Sequence, residues 1–329
     1  MARITQWERR IGRRLRLRDL FVFFAVVDAG SMTGAARQLG VSTPSVSDII
    51  GGLEQELGVR LLDRSAQGIM PTPYGRALLA RGQAAFDELH QGVRDIEFIT
   101  DPGAGEVRIG CPESLATFVA LVIERLGARR PRLRFSVQQV RWPTVELPDL
   151  QDRKIDLVVA RLSGRPWEGR IGTEFDAEIL FDDPFSAVVG RGSRWARRRR
   201  VDLAELIDAP WVLTPLEVLA GRFLTDAFAA RGLAAPRPTV ETSSIHLRNI
   251  LASGGRYIAV LPRSVLRLAA ERYGLKELPI RLSDRPSPVG IVTLRGRNLT
   301  PAVEGFIGCA REVARSFTGA KKVNAVVTK

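Results

Sequence analysis

Residues 17–72 carry three short apolar periods separated by Gly30 and Gly40, a spacing that fits three packed helices. Leu20, Phe23, Val26 and Val27 form the stripe of the first, which Gly30 ends. Ser31 is placed to cap a second, "MTGAARQL", whose small pair Ala35 and Ala36 lets a neighbour approach closely while Leu39 closes the apolar side. Gly40 supplies the next turn. Ser42 then caps a third helix with Pro44 in its first turn, where the missing N–H costs nothing. Val46, Ile50, Leu53 and Leu57 are expected to line its buried face. At about 1.5 Å per residue, Pro44 to Leu57 makes a rod of roughly 21 Å, enough to lie along several base pairs of a major groove about 12 Å wide. Periodicity alone fits a small bundle without a ligand as well as a helix-turn-helix. The segment that follows, "VRLLDRSAQGIMPTPYG", has the glycine, two prolines and apolar ends of a short wing and favours the helix-turn-helix.

From residue 73 to about 100, Leu78, Leu79, Phe86, Leu89, Val93, Ile96 and Phe98 keep a helical period, so a partner must cover the stripe of this linker helix. "TDPGAGE" breaks it. Beyond that point strand and helix signals alternate: "EVRIGC", the helix "TFVALVIERLGARR", "LRFSVQQV", the helix "TVELPDLQDRK" and the apolar strand "IDLVVARL". This is the pattern of parallel strands with crossover helices. "AEILFDDPFSAVVG" reads as a strand entering a hinge. A second unit follows through "APWVLTP", "RFLTDAFAARG", "RPTVETSS", "HLRNILASG" and "YIAVLP", after which "PSPVGIVTLRG" and "PAVEGFIGCAREVARSF" return to the first. In open α/β sheets ligands bind beyond the carboxyl ends of strands, where helix N-termini present free N–H groups. Ser114 and Leu115, Thr214 and Pro215, and Thr242 with Ser243 stand at such ends, joined by Arg141, Thr144 and Arg161. Each Ser or Thr taken alone fits a helix cap equally well; their joint placement favours a cleft. Arginines near helix N-termini suit a small organic carboxylate. His246, at a helix start, fits surface packing as well as ligand contact.

Composition agrees with a polyanionic partner: 49 Lys and Arg against 36 Asp and Glu leave a formal charge of +13 over 329 residues. Arg3, Arg9, Arg10, Arg13, Arg14, Arg16 and Arg18 crowd the amino end, as a DNA-backbone arm or as a disordered extension. A second run, Arg194 and Arg197 to Arg200, reads as a solvated loop in preference to a second DNA contact. Two histidines, His90 and His246, make no His-based triad, and neither a Walker loop nor a dinucleotide fingerprint occurs, so no enzyme and no cofactor are expected. Cys111 and Cys309 stand far apart in apolar contexts and read as buried structural thiols. A basic amino terminus without a signal peptide's apolar run, and no stretch of about twenty apolar residues, point to a cytoplasmic chain off the membrane.

The segment "LRDLFVFFAVVDAGSMTGAARQLGVSTPSVSDIIGGLEQELGVRLLDRS…PTPYGRALL" resembles the DNA-binding domain of the LysR-type transcriptional regulators. The matches include Gly30–Ser31, Ala35–Ala36, Ser42, Pro44, Ser47, Leu53–Glu54, "LGVRLLDR" and Thr72. The resemblance implies an α+β multidomain chain: a basic extension (1–16), a winged helix-turn-helix (17–73) and a linker helix (74–100) that pairs antiparallel with that of a second copy. It also implies a two-lobed α/β effector domain like a periplasmic binding protein (105–318, lobe I 105–181 and 285–318, lobe II 182–284) and a loose tail (319–329). DNA contacts are expected from Ser31, Thr33, Ser42, Thr43, Pro44, Ser45, Ser47, Asp48, Arg64 and Thr72, the last two matching positions that approach phosphates in the family. Ser114 matches a common inducer-contact position. The chain departs from the family at Thr43, where Gln is common, at Asp48, where a basic residue is common, at the bare Gly51 and Gly52, and at Gln67, where Arg is frequent. Asp48 fits either a cytosine amino group in the groove or plain solvent exposure. One branch of the family senses peroxide through a cysteine pair, which keeps a redox role beside the structural one for Cys111 and Cys309. The implied partners are double-stranded operator DNA, RNA polymerase and further copies of the chain as homodimer or homotetramer. A ligand-free DNA-binding regulator and a solute-binding protein are the rival readings.

Overall fold

The computed structural model describes residues 15–65, 68–101, 103–140, 147–162, 174–215, 219–282 and 286–317. Arg3, Arg9, Arg10, Arg13 and Arg14 of the extension, Gln67, Arg141, Thr144 and the tail 319–329 lie outside the described residues. The chain divides into two compact units, residues 1–90 and 91–329.

In the first unit, α1 (Leu17–Ala29), α2 (Met32–Leu39) and α3 (Thr43–Leu57) close on a core of Phe23, Val26, Ala35, Ala36, Val46, Ile50 and Leu61. Gly30 and Gly40 end α1 and α2 at φ of +61° and +67°, the left-handed conformation that a side chain disfavours. Ser31 and Ser42 cap α2 and α3 by accepting from the N–H groups of Gly34 and Ser45. Leu57 corrects the expected buried face of α3: it is 40% exposed, because the last turn runs past the core before Gly58 stops it. The wing is the antiparallel pair β1 (Leu62–Ser65) and β2 (Gly68–Pro71), with Leu62 opposite Pro71. Glu54, on α3, fixes where the wing begins: its Oε1 accepts from the N–H groups of Leu61 at 2.7 Å and Leu62 at 3.2 Å.

The linker helix α4 spans Pro73–Thr100. Two glycines set how its first half packs. A Cβ on Gly75 would lie 2.1 Å from the Leu61 carbonyl oxygen, and one on Gly82 would lie 2.5 Å from the Phe24 ring. The apolar stripe expected on α4 is divided among several neighbours. Leu78 and Leu79 pack on the three-helix core, and Phe86 meets Phe24 edge-on at 5.4 Å. Phe98 lies beneath the guanidinium of Arg130, 5.8 Å from the ring centroid. Leu89, Val93, Ile96 and Ile99 remain exposed along one face.

The second unit holds two five-stranded sheets. The first has the order β4-β3-β5-β12-β6, built from β3 (Ala104–Cys111), β4 (Arg132–Gln139), β5 (Leu157–Arg161), β6 (Phe175–Asp182) and β12 (Pro288–Leu294). β3 runs parallel to β4 and β5, as the alternating pattern predicts, and the returning strand β12 is antiparallel to both of its neighbours, so the sheet as a whole is mixed. Helices α5 (Ala116–Arg129) and α10 (Pro301–Ala314) cover it, burying Phe118 and Phe306 against Ile109, Val159 and Ile291. The expected helix "TVELPDLQDRK" is, among the described residues, only the short α6 (Pro148–Gln151).

The second sheet has the order β11-β7-β10-β8-β9, formed by β7 (Phe185–Gly190), β8 (Trp211–Leu213), β9 (Pro238–Glu241), β10 (Ile258–Pro262) and β11 (Leu275–Glu277). Helices α7 (Leu219–Ala229), α8 (Ile245–Ser253) and α9 (Arg263–Arg272) accompany it. Trp211 anchors this core and donates its indole N–H to the Leu206 carbonyl at 2.7 Å. The segment "AEILFDDPFSAVVG" proves to be two strands in different sheets, with Asp183 and Pro184 as the crossing. The chain returns to the first sheet at β12. Neither α9 nor β11 was expected from the sequence pattern.

Candidate functional site

The outer face of α3 presents Pro44, Ser45, Asp48, Gly51 and Gly52 to solvent, with Thr43 and Ser47 half-buried beside them. Its chemistry is short and polar. The hydroxyls of Ser42 and Ser45 are 2.9 Å apart and serve the helix cap. A Cβ at Gly51 or Gly52 would meet nothing within 4 Å, so packing does not require either glycine. Each costs an exposed helix interior about 1 kcal/mol relative to Ala, and what it offers is a bare backbone that another surface can approach closely. Thr33 on α2 and Arg64 on β1 are exposed, whereas Ser31 is half-buried with its hydroxyl accepting from the Gly34 N–H at 3.0 Å. Thr72 departs from its expected phosphate contact. It is buried, its hydroxyl donates to the Arg60 carbonyl at 2.8 Å and accepts from the Gly75 N–H at 3.0 Å, and so it caps α4.

In the second unit a cavity of about 460 Å³ opens between the lobes. Ser114, Arg161, Thr214 and Ser243 of the expected set line it. The other described members, Leu115, Pro215 and Thr242, do not join them. Leu115 is wholly buried in the lobe I core, because the turn that presents Ser114 points the next side chain inward. Thr242 bends away to accept from the Ser244 N–H at 3.1 Å, and Pro215 is not in the lining. His246 faces Tyr273, with its Nδ1 3.2 Å from the tyrosine hydroxyl. The basic run at Arg194 is surface: Arg194 and Arg198 lie over the Trp195 ring, and Arg198 pairs with Glu205.

Two charged residues in the lining escaped the sequence reading. Arg248, on α8, is 3% exposed; its Nη1 donates to the Val260 carbonyl at 2.7 Å and its Nε has no partner among the described residues. Burial pulls this guanidinium down to about 10, against the opposing pull of the Glu113 carboxylate, so it is still charged at neutral pH. Glu113 follows β3 in lobe I, yet its Oε1 accepts from the N–H groups of Ile245 at 3.0 Å and His246 at 3.4 Å, at the start of α8 in lobe II.

Arg161 is 3% exposed and bound into the crossing. Its Nη2 reaches Asp183 Oδ2 at 2.5 Å, and its Nη1 donates to the Asp183 carbonyl at 2.8 Å and the Ser287 hydroxyl at 3.2 Å. The guanidinium lies over the Phe185 ring at 4.7 Å, and Nε is unpartnered among the described residues. Its pKa is lowered by burial, a cost that Asp183 only partly offsets.

Both cysteines are buried and free. Burial pushes the Cys111 thiol from 9.0 up to about 11, and Cys309 is raised for the same reason. At Cys111 this leaves about a hundredfold less thiolate at neutral pH than an ordinary cysteine has, and the thiolate is the reactive form. The native chain is therefore expected to resist Ellman's reagent at pH 8 and to release two thiols only on denaturation. Rapid titration of either thiol in the native protein would restore the redox alternative.

Residues 17–76 match the family described as bacterial regulatory helix-turn-helix protein, lysR family, and residues 100–315 match the LysR substrate binding domain. The chain is 28% identical over 298 residues to the transcriptional dual regulator GltC of Bacillus subtilis, covering 89% of this chain and 95% of that protein. It is 26% identical over 301 residues to the regulator GbpR of Azospirillum brasilense, covering 91% and 86%. Among solved structures, full-length OxyR from Pseudomonas aeruginosa superposes with a TM-score of 0.60 at 20% identity, covering 91% of this chain and 96% of that one. CbnR in complex with its target DNA gives 0.59 at 21% identity, covering 91% and 99%. A capped recognition helix beside a wing, a long helix leading from it and two α/β lobes around a cleft thus occur here in the order the matched domains require, and the chain belongs to the LysR family of transcriptional regulators.

Proposed function

We propose that the cleft holds a small organic anion, a carboxylate in the simplest case, and that its occupancy regulates how the helix-turn-helix domain engages a double-stranded operator. One observation supports this reading above the rest: two buried arginines, Arg161 and Arg248, line a single cavity and each keeps an unpartnered Nε among the described residues. A buried donor without a partner costs about 1–3 kcal/mol, a cost that an anionic ligand would remove. Ser114, Thr214 and Ser243 add short hydroxyl donors around the same space. The site binds its ligand without transforming it and takes no cofactor or metal. On the DNA side, Thr43, Pro44, Ser45, Ser47 and Asp48 approach the groove, and Ser31, Thr33, Ser42 and Arg64 lie towards the backbone. With so few long donors on α3, affinity leans on phosphate contacts and falls steeply with salt. The chain works in the cytoplasm as a homodimer paired through α4, assembled further into a homotetramer, and acts on RNA polymerase at the promoter.

Thermal unfolding of the full chain with a series of aromatic and aliphatic carboxylates tests the ligand class. At a hundred times its Kd, a true effector should stabilise the native state by about 2.7 kcal/mol, which raises the midpoint by roughly 5–10 °C for a domain of this size. Arg248→Met should remove that shift. No response from any carboxylate would refute the assignment.

A further inference from the structure

We propose that Glu113 is a built-in anion that occupies the effector's carboxylate position and ties the two lobes together until an effector displaces it. The inference rests on the carboxylate-effector reading above and adds to it the means of regulation. Helix α8 has nine residues, and its local cap accounts for only part of its first turn: Ser244 Oγ accepts from the Leu247 N–H at 3.3 Å. The N–H groups of Ile245 and His246 turn instead to Glu113 of the opposite lobe. They sit where the helix dipole favours negative charge. Ile245, Glu113 and Arg248 all line the same cavity, and the buried Arg248 Nε, without a partner among the described residues, is a donor that Glu113 leaves unused.

An incoming carboxylate can take both N–H groups and the Arg248 Nε, whereas Glu113 takes only the first two. Glu113 stands on a single turn of 3-10 helix and is only half-buried, so an ordinary rotamer change carries it towards water. Displacement exchanges the two lobe-to-lobe hydrogen bonds of Glu113 for hydrogen bonds to the ligand. Occupancy is thereby converted into freedom between the lobes, the differential interaction that any ligand-driven shift needs. An internal competitor also lowers apparent affinity by the fraction of time it holds the site.

The test uses the full chain, with benzoate and succinate as probes against chloride at constant ionic strength. Dissociation constants are measured for the unaltered protein, Glu113→Gln, Glu113→Ala and Arg248→Met, with amide hydrogen exchange followed over residues 244–248. Glu113→Ala should bind the carboxylates about tenfold or more tightly, and Glu113→Gln should fall between, since its amide oxygen still accepts but carries no charge. Without probe, the segment should exchange faster in Glu113→Ala than in the unaltered chain, and saturating carboxylate should restore its protection. Equal affinity in the unaltered chain and Glu113→Ala, with Arg248→Met still abolishing binding, overturns the displacement of Glu113 and leaves the effector site standing. Failure of all variants to bind either probe overturns both.

Discussion

Replacing Asp183 with alanine should destabilise the effector domain by about 3–5 kcal/mol, the cost of leaving a buried charge without its partner. Asp183 is 2% exposed and serves two elements at once. From β5 it receives Arg161; from the start of α9 it receives the Ser264 N–H at 2.8 Å and the Ser264 hydroxyl at 2.6 Å. The residue preceding α9 is Pro262, which has no side-chain acceptor, so the carboxylate from the crossing strand caps that helix in its place. In the unaltered protein, burial of Arg161 already outweighs the attraction of Asp183, as the lowered pKa of the arginine shows. Without the carboxylate the full desolvation cost stands, and the Ser264 N–H loses its acceptor as well. Urea unfolding followed by tryptophan fluorescence reads this directly, because Trp195 and Trp211 are both buried in lobe II. Arg161→Met with Asp183→Leu should recover part of the loss, since an apolar pair carries no buried charge, but not all of it, because the Ser264 and Ser287 groups are still unmatched. A change below about 1 kcal/mol for Asp183→Ala would mean that water reaches the crossing and that the pair is no more than a surface ion pair.

The same pair shows why the site was only partly legible in the sequence. The helices of the DNA-binding domain are set by neighbours in sequence: Gly30 and Gly40 in the left-handed conformation, Ser31 and Ser42 as caps, Pro44 in a first turn. Local rules read such features well. Arg161 could be placed at the end of an apolar strand, but its partner Asp183 stands 22 residues on and meets it only because the chain changes sheets between β6 and β7. Glu113 looks like an ordinary acidic residue in a first turn, yet the helix it serves begins 132 residues later. Arg248 lies on the face of α8 that is covered, and nothing in "HLRNILASG" announces that. Thr72 misled in the opposite direction. Its match to a family position that approaches phosphate implies such a contact, whereas its hydroxyl is consumed by the Arg60 carbonyl and the Gly75 N–H. Helix α9 gives a weak sequence signal because its buried face, Ser264, Val265, Leu266 and Ala269, is short and interleaved with arginines.

Glutamate at both Val93 and Ile96 is expected to convert the protein to monomers and to weaken operator binding by about a hundredfold or more. On α4, Phe86 and Phe98 are taken up within the chain, but Leu89, Val93, Ile96 and Ile99 are 52%, 52%, 66% and 78% exposed. Their spacing of four, three and three residues keeps them on one side of the helix. Fully covered, each such side chain is worth about 1.5–3 kcal/mol, so a symmetric pair of helices gains on the order of 10 kcal/mol in gross burial, comparable with the cost of bringing two proteins together. Removing two of the four from each helix and adding four carboxylates to the interface therefore tips the balance to monomer. DNA affinity follows by geometry. Two recognition helices held about one helical turn apart engage two half-sites in one event, and a monomer keeps only one of them. The exposed position of both side chains means that the α1–α3 core should stay folded, with an unchanged far-ultraviolet spectrum. Sedimentation equilibrium and a gel-shift titration at fixed salt report the two effects separately. Dimers that persist with full operator affinity would show that another surface joins the copies. Monomers that keep full affinity would show that a single α3 suffices, with the arginines of the amino-terminal extension as the next residues to replace.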